Sequence, residues 1–167
     1  MKFANIHLGE NVEIDPSSSF NYVIIADNVK IAKRCSIYGG PGNLLKIGES
    51  SYFGMNTIVN GFSARITIGK NVSISQNVNI MSDSGPNASR ALQKLYPLQR
   101  GEVIIGNDCW IGASVIIMPG VELGDFCVVA ANSFVNNSFP AYSIIGGTPA
   151  KLIRQFSKEE IEYLVID

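Results

Sequence analysis

The chain has 167 residues, a formal net charge of −1 at pH 7 and 16% charged residues. This length is typical of one compact domain. The charge balance argues against nucleic-acid binding, and no apolar run approaches the roughly 18 residues of a membrane span. Residues 1–5 lack the apolar core of a signal peptide, so we expect a cytoplasmic protein.

From Leu8 onward, branched aliphatic residues recur every six positions, a period that belongs to neither an α-helix nor an alternating strand. Up to Ile80 the hexads come in blocks of three, and the spacing breaks after each block. Such a repeat predicts an all-β solenoid in which three hexads form one eighteen-residue coil of triangular section.

The breaks in spacing place extra residues at the same corner of successive coils. Residues 39–42 and 61–64 form two short loops there, and residues 82–101 form a long insertion, which we call the arm. An ordered solenoid that extrudes one long loop usually does so for function, although a tolerated surface insertion is the alternative.

The hexads between Ile105 and Val135 are unbroken, and the residue after each aliphatic position is usually glycine or alanine. Cys35, Cys109 and Cys127 occupy the fifth position of their hexads, where small residues point inward. We therefore predict buried, unpaired thiols, with Cys109 and Cys127 stacked one coil apart.

Aromatic side chains are expected on the flat faces of the solenoid, where a partner subunit would cover some of them. These residues are Phe20, Tyr22, Tyr38, Tyr52, Phe53, Phe62, Phe126 and Phe134.

The C-terminal segment leaves the repeat. Ser157 and Glu160 have the spacing of a capping box, and Ile161, Leu164 and Val165 form an apolar helical face. We predict a β-helix domain over residues 1–155 and a terminal helix over 156–167.

Residues 105–113, 119–121 and 146–151 resemble those of the hexapeptide-repeat acyltransferases, most closely the sugar, maltose-type and xenobiotic acetyltransferase branch. The resemblance covers about residues 8–155. It implies a left-handed parallel β-helix, a homotrimer with active sites between subunits, and acetyl-CoA as acyl donor without a metal. Handedness rests on the resemblance alone, because the general rule for crossovers is right-handed.

The resemblance also implies which residues hold the donor: small side chains beside the pantetheine arm, and later residues beside the adenine and phosphates. Glycines that only satisfy the corners, and solvated charges at Lys151 and Arg154, are the alternative. The implied donor set is Trp110, Gly112, Ala113, Ser114, Ala130, Ala131, Asn132, Thr148, Pro149, Lys151 and Arg154.

The chain departs from this branch in the arm, where a histidine followed by proline is expected and Gly85 stands instead. The single histidine, His7, lies four coils below, about 19 Å away at the rung spacing of a sheet. Asp83 is therefore the candidate base or orienting carboxylate, unless it only caps a turn. An ordinary aspartate is a weak base toward a sugar hydroxyl but suffices for an amine.

The other arm residues suit an acceptor that carries hydroxyls, a ring or negative charge. We expect Ser82, Ser84, Asn87, Arg90 and Tyr96 to contact the acceptor. Arg90, Lys94 and Arg100 would also suit a nucleotide diphosphate or an acidic sugar.

Taken together, the sequence predicts acyl-CoA-dependent transfer to the hydroxyl or amine of a sugar or nucleotide-sugar acceptor, in the setting of surface-polysaccharide tailoring. The alternative is a non-catalytic β-helix that binds partners. The missing histidine favours that alternative, and the intact segments 110–112 and 148–151 oppose it. A zinc-dependent β-helix would need several histidines, and the chain has one.

Overall fold

The computed structural model describes residues 5–164 and the backbone of Val165. It is a parallel β-solenoid of about six coils whose short strands stack into three sheets. The first sheet contains β1 (Ile6–Leu8), β4 (Val23–Ile25), β7 (Leu45–Ile47), β10 (Ile66–Ile68), β15 (Val103–Ile105) and β18 (Glu122–Leu123).

The second sheet is the longest and ends in an antiparallel hairpin of β21 and β22. It contains β2 (Glu13–Ile14), β5 (Lys30–Ile31), β8 (Tyr52–Phe53), β11 (Ser73–Ile74), β16 (Trp110–Ile111), β19 (Val128–Val129), β21 (Ser143–Gly147) and β22 (Ala150–Gln155). The third sheet contains β3 (Ser19–Asn21), β6 (Ser36–Gly39), β9 (Ile58–Gly61), β12 (Asn79–Met81), β17 (Ile116–Ile117) and β20 (Phe134–Val135).

The hexad residues form the core, as the period predicts. One column of inward side chains runs through the second sheet, where successive rungs pair Ile31, Phe53, Ile74, Ile111 and Val129. Phe53 is 0% exposed, so the prediction that it lies on the outer surface is wrong: it occupies an aliphatic position of the hexad. Each such side chain contributes about 1.5–3 kcal/mol through burial of apolar surface.

The corners require residues in the left-handed backbone region, and asparagine and aspartate accept that conformation more readily than most side chains. Asn71, Asn77 and Asp108 have φ of 54°, 58° and 56°. Their side chains also bond vertically: Asn71 Nδ2 donates to Asp108 Oδ1 at 3.0 Å, and Asn56 Nδ2 donates to Asn77 Oδ1 at 3.0 Å. The corners are thus fixed by polar ladders as well as by the core.

The three cysteines are buried and unpaired, as predicted. Each thiol donates to a backbone carbonyl, Cys35 to Gly54 O and Cys109 to Gly124 O, both at 3.2 Å. Burial raises the pKa of the Cys35 thiol. The neighbouring Cys127 thiol, together with burial, raises the pKa of the Cys109 thiol. These thiols are packing residues.

All three breaks in the hexad spacing connect the third sheet to the first, which confirms that the insertions share one corner. The arm contains β13 (Asp83–Ser84) paired antiparallel with β14 (Gln99–Arg100), and a short helix α1 (Arg90–Gln93). No helix within residues 5–165 is long and apolar enough to cross a membrane.

Helix α2 (Lys158–Val165) follows the last hairpin. The capping box is confirmed, since Glu160 N donates to Ser157 Oγ at 3.2 Å and Ser157 N donates to Glu160 Oε2 at 2.7 Å. The predicted apolar face includes Val165, whose side chain lies outside the described residues.

Candidate functional site

Two corners of the solenoid carry almost all of the predicted site residues. The first, between the second and third sheets, is called here the small-residue corner: it contains 112–114 in one coil, 130–132 in the next, and Thr148 above them. The second, between the third and first sheets, is the arm corner, with the loops 39–43 and 61–65 below the arm. The sequence prediction placed donor residues at the former and acceptor residues at the latter.

Close stacking of successive coils fixes the small-residue corner. A Cβ at Gly112 would lie 2.6 Å from Ala131 N and 2.7 Å from Val129 O, so the glycine is required by the coil above it. Above Gly112, residues 130–132 are exposed, and Thr148 Oγ1 donates to Asn132 O at 3.3 Å. The result is a narrow, side-chain-poor edge rich in backbone groups, which suits an extended ligand arm.

The remaining predicted donor residues border this corner. Trp110 is 57% exposed on the outer face of the second sheet. Pro149 and Lys151 are exposed at the tip of the last hairpin. Arg154 is already paired: Nη1 and Nη2 donate to the two carboxylate oxygens of Glu160 at 2.7 and 2.9 Å. A phosphate at Arg154 would therefore compete with that ion pair.

At the arm corner, Ser82 anchors the base of the arm. Its side chain is 0% exposed, its Oγ accepts from Ala64 N at 3.1 Å, and its carbonyl accepts from Gly101 N at 3.0 Å. The prediction that Ser82 contacts the acceptor is corrected here, because its hydroxyl is buried where the arm leaves the coil.

Asp83 lies next along the chain and is half-buried. The Ser63 hydroxyl donates to Asp83 Oδ2 in a short hydrogen bond. Tyr38 lies close enough that the Asp83 charge adds to burial in raising the pKa of the Tyr38 hydroxyl. The Ser63 hydroxyl therefore orients the Asp83 carboxylate through Oδ2. No donor within residues 5–164 contacts Oδ1, so a ligand can donate a proton or a hydrogen bond to it.

The outer arm presents a different group of predicted residues. Ser84 and Tyr96 line a cavity of about 310 Å³ with Leu95, on the opposite face of β13 from Asp83 because successive strand residues alternate. Asn87 and Arg90 are exposed near α1, where Ser89 Oγ accepts from Leu92 N at 3.2 Å.

Leu95 and Tyr96 at the arm tip are 75% and 65% exposed. The arm is thus held at its base and carries an uncovered apolar tip, and its predicted acceptor residues do not face one common space within a single chain.

Sequence reasoning did not place Ser63 or Tyr38 beside Asp83. The only available signal was register: Ser63 lies twenty residues before Asp83 in a loop that shares its corner. The hexad count placed both loops on one edge but could not say which side chain of 61–64 turns toward the arm.

The two corners lie at opposite edges of the third sheet. Between Ser114 and Pro119 the chain crosses the third sheet through β17, and five extended residues span at most about 16 Å. Within one chain, the small-residue corner and Asp83 therefore do not meet. Among residues 5–164, no group of three or more histidine, cysteine, aspartate or glutamate side chains has the arrangement of a metal site.

Comparison with known proteins identifies the class. Residues 102–137 match the family described as bacterial transferase hexapeptide (six repeats). Galactoside O-acetyltransferase of Escherichia coli K12 is 31% identical over 161 residues, covering 96% of this chain and 68% of that protein. A probable macrolide acetyltransferase of Lysinibacillus sphaericus is 54% identical over 67 residues, covering 40% of this chain and 37% of that protein, so the chain spans little more than a third of this relative's length.

Solved structures agree with the sequence relatives. AntD, an N-acyltransferase from Bacillus cereus in complex with dTDP and 3-hydroxybutyryl-CoA, is 25% identical with a TM-score of 0.79 over 93% of this chain and 86% of that chain. Galactoside acetyltransferase in complex with coenzyme A is 28% identical with a TM-score of 0.69 over 95% and 68%. The protein belongs to the hexapeptide-repeat acetyltransferases, as the sequence resemblance implies.

Proposed function

We propose that the protein transfers an acyl group, acetyl in the first instance, from acyl-CoA to an amine or hydroxyl of a sugar or nucleotide-sugar acceptor. The observation that carries the proposal is the pairing of two specialised corners on one family fold. One is a backbone-rich edge at 112–114 and 130–132, and the other carries an oriented carboxylate, Asp83. Relatives of this fold include an N-acyltransferase solved with dTDP and an acyl-CoA.

The separation of the corners supports a site built by two copies of the chain. Because Asp83 and the small-residue corner lie at opposite edges of the third sheet, we place the arm of one copy at the small-residue corner of another. The uncovered Leu95 and Tyr96 at the arm tip supply an apolar surface for this contact. A closed ring of three copies, typical of the family, repeats the contact three times.

The chemistry follows from what Asp83 can do. In amine transfer the nitrogen attacks the thioester carbon, the C–N bond forms, the C–S bond breaks, and the thiolate leaves. The proton lost by nitrogen passes to Asp83 Oδ1 or to the thiolate. In transfer to a hydroxyl, Asp83 must remove the proton during the attack, and this step requires a stronger base than amine transfer does.

A test begins with calorimetric titration of the purified chain with acetyl-CoA and CoA. Thiol release is then measured with a panel of amino sugars and sugars without an amine, each in free and nucleotide-linked form. We expect micromolar binding at one site per chain and faster thiol release with amines. Absence of binding at millimolar acetyl-CoA would overturn the proposal and favour a β-helix that only recognises partners. The cytoplasmic location remains a proposal, which the three free thiols support.

A further inference from the structure

A second cleft opens on the arm corner, below the arm, and carries positive charge. It has a volume of about 540 Å³ and is lined by Asn5, His7, Tyr22, Pro41, Gly42, Leu44, Lys46 and Arg65. This volume falls within the range of small-molecule sites. The cleft contains two permanent cations and one imidazole, and none of these lining residues is acidic.

Strand register explains why these residues meet. His7 pairs with Ile24, which pairs with Lys46, so the two polar side chains project from one face of the first sheet two rungs apart, about 10 Å. Lys46 pairs in turn with Thr67, and Arg65 lies two residues before Thr67 at the corner. The cations form a vertical row beside the corner that carries the arm.

The charges of this row are not neutralised within the described part of the chain. The three ion pairs of residues 5–164 join Lys30 to Glu13, Lys70 to Glu49 and Arg154 to Glu160. Lys46 and Arg65 take part in none of them, and both side chains are exposed. An anion with two or more charges is the ligand that such a row recognises.

The cleft shares one wall with a second cleft at the arm corner. Tyr22 lines both this cleft and a neighbouring one of about 330 Å³, which is also lined by Tyr38 and Phe62. The Asp83 charge adds to burial in raising the pKa of the Tyr38 hydroxyl. Arg65 lies two residues beyond Ser63, whose hydroxyl donates a hydrogen bond to Asp83. A ligand could therefore place a reacting group at Asp83 and extend downward along the same edge.

We propose that this cleft binds the nucleoside diphosphate portion of the acceptor, with the diphosphate on Arg65 and Lys46, and the nucleoside against Tyr22, His7 and Asn5. The sugar then lies at Asp83, because the diphosphate joins the sugar to the nucleoside. This assignment rests on the proposed acyl transfer and narrows its acceptor to nucleotide-linked sugars. It also moves the diphosphate away from Arg90, Lys94 and Arg100 of the arm.

The test is calorimetric titration of the full chain with uridine diphosphate, thymidine diphosphate and inorganic pyrophosphate, without acyl-CoA. We expect at least one nucleoside diphosphate to bind more tightly than pyrophosphate. Lys46→Ala and Arg65→Ala should each weaken that binding about tenfold, and His7→Ala about threefold. Lys33→Ala, an exposed cation on another face, serves as the matched control and should leave it unchanged.

Three outcomes would overturn the assignment: no nucleoside diphosphate binding, equal affinities in the cleft variants and the Lys33→Ala control, or loss of binding only in an Arg90→Ala and Lys94→Ala double variant. A second assay separates this failure from failure of the proposed function. If free amino sugars are acetylated as well as nucleotide-linked ones, acyl transfer stands and the cleft assignment falls. If acetyl-CoA does not bind at all, the proposed function falls, and diphosphate titration still decides the cleft.

Discussion

The small-residue corner and the arm corner belong to the same coils but differ in structure: the coils stack closely at the first, and loops leave the coil at the second. At the first, the coil above requires a glycine at position 112, because a Gly112 Cβ would lie 2.6 Å from Ala131 N. At the second, the loops leave the coil, and side chains such as Ser63 and Asp83 bond to one another across rungs. One corner offers backbone and the other offers functional groups.

This difference suits a fold in which the acyl donor binds at a constant corner and the acceptor binds at a corner whose loops can vary. At Gly112 the coil above leaves no room for a side chain, so a ligand beside this residue would be recognised mainly through backbone groups. An irregular corner tolerates insertions as different as residues 61–64 and 82–101 because they project outward. We therefore expect substitutions at the arm corner to change turnover, and substitutions at the small-residue corner to change the stability of the stack.

The largest effect is expected from Asp83→Asn at the arm corner. It keeps the shape and the contact with Ser63 but removes the carboxylate, so kcat should fall at least about 100-fold, about 2.7 kcal/mol in the barrier. Steady-state kinetics with titration of CoA measures this, and CoA affinity should stay nearly unchanged.

A matched acid-to-amide control for Asp83→Asn is Asp108→Asn, since asparagine already occupies the equivalent corner position at Asn71. It should leave turnover at the wild-type level. A loss smaller than threefold in Asp83→Asn would remove that carboxylate from the chemistry and erase the functional contrast between the two corners.

The next effect compares two glycines in one coil. Gly112→Ala at the small-residue corner forces a methyl group against the backbone of residues 129–131, and such overpacking costs about 1–3 kcal/mol, or a fall of about 3–10 °C in Tm. Gly120→Ala at the arm corner meets nothing within 4 Å and has only its φ of +83° to strain it, about 1 kcal/mol.

Thermal unfolding of both glycine variants under one set of conditions measures the difference. If Gly120→Ala proved as costly as Gly112→Ala, the stacking argument for the small-residue corner would fail, because backbone conformation alone would account for both.

A smaller effect is expected from Ser63→Ala, which removes the donor that orients Asp83. Because Asp83 itself remains, we expect about a tenfold fall in kcat with little change in the KM for acetyl-CoA. Ser63→Thr retains a hydroxyl and should recover most of the activity. Equal losses in the alanine and threonine variants would indicate that Ser63 matters for packing of the loop and does not position Asp83.

The sequence was sufficient for the parts of the molecule that repeat. A period of six residues located the core, the shared insertion corner, and the stacked Cys109 and Cys127, and the spacing of Ser157 and Glu160 located the capping box. It failed where a residue could satisfy two patterns. Phe53 is aromatic, which suggested an exposed face, yet it holds a hexad position in the core.

At the site, contacts between residues far apart in sequence were not predictable. The sequence predicted the same acceptor contact for Ser82 and Ser84, but only the structure shows that Ser82 is buried under the arm. The bond from Ser63 to Asp83 and the row of His7, Lys46 and Arg65 arise from register between coils of unequal length. A hexad count fixes which corner such residues share but not which way they turn.

The smallest effect concerns the C-terminal end of the small-residue corner. Hydrogen bonds from Arg154 and from Ser157 N lower the pKa of the Glu160 carboxyl from 4.5 to about 2. Because the folded pKa is the lower one, the contact stabilises α2 fully above about pH 4.5 and is lost as pH falls toward 2. The pair is exposed, so its loss should loosen the helix without unfolding the solenoid.

NMR titration of the Glu160 carboxyl should show the low midpoint in the wild type and a return toward 4.5 in Arg154→Ala. The same midpoint in both proteins would mean that Arg154 is free to face a phosphate at that corner.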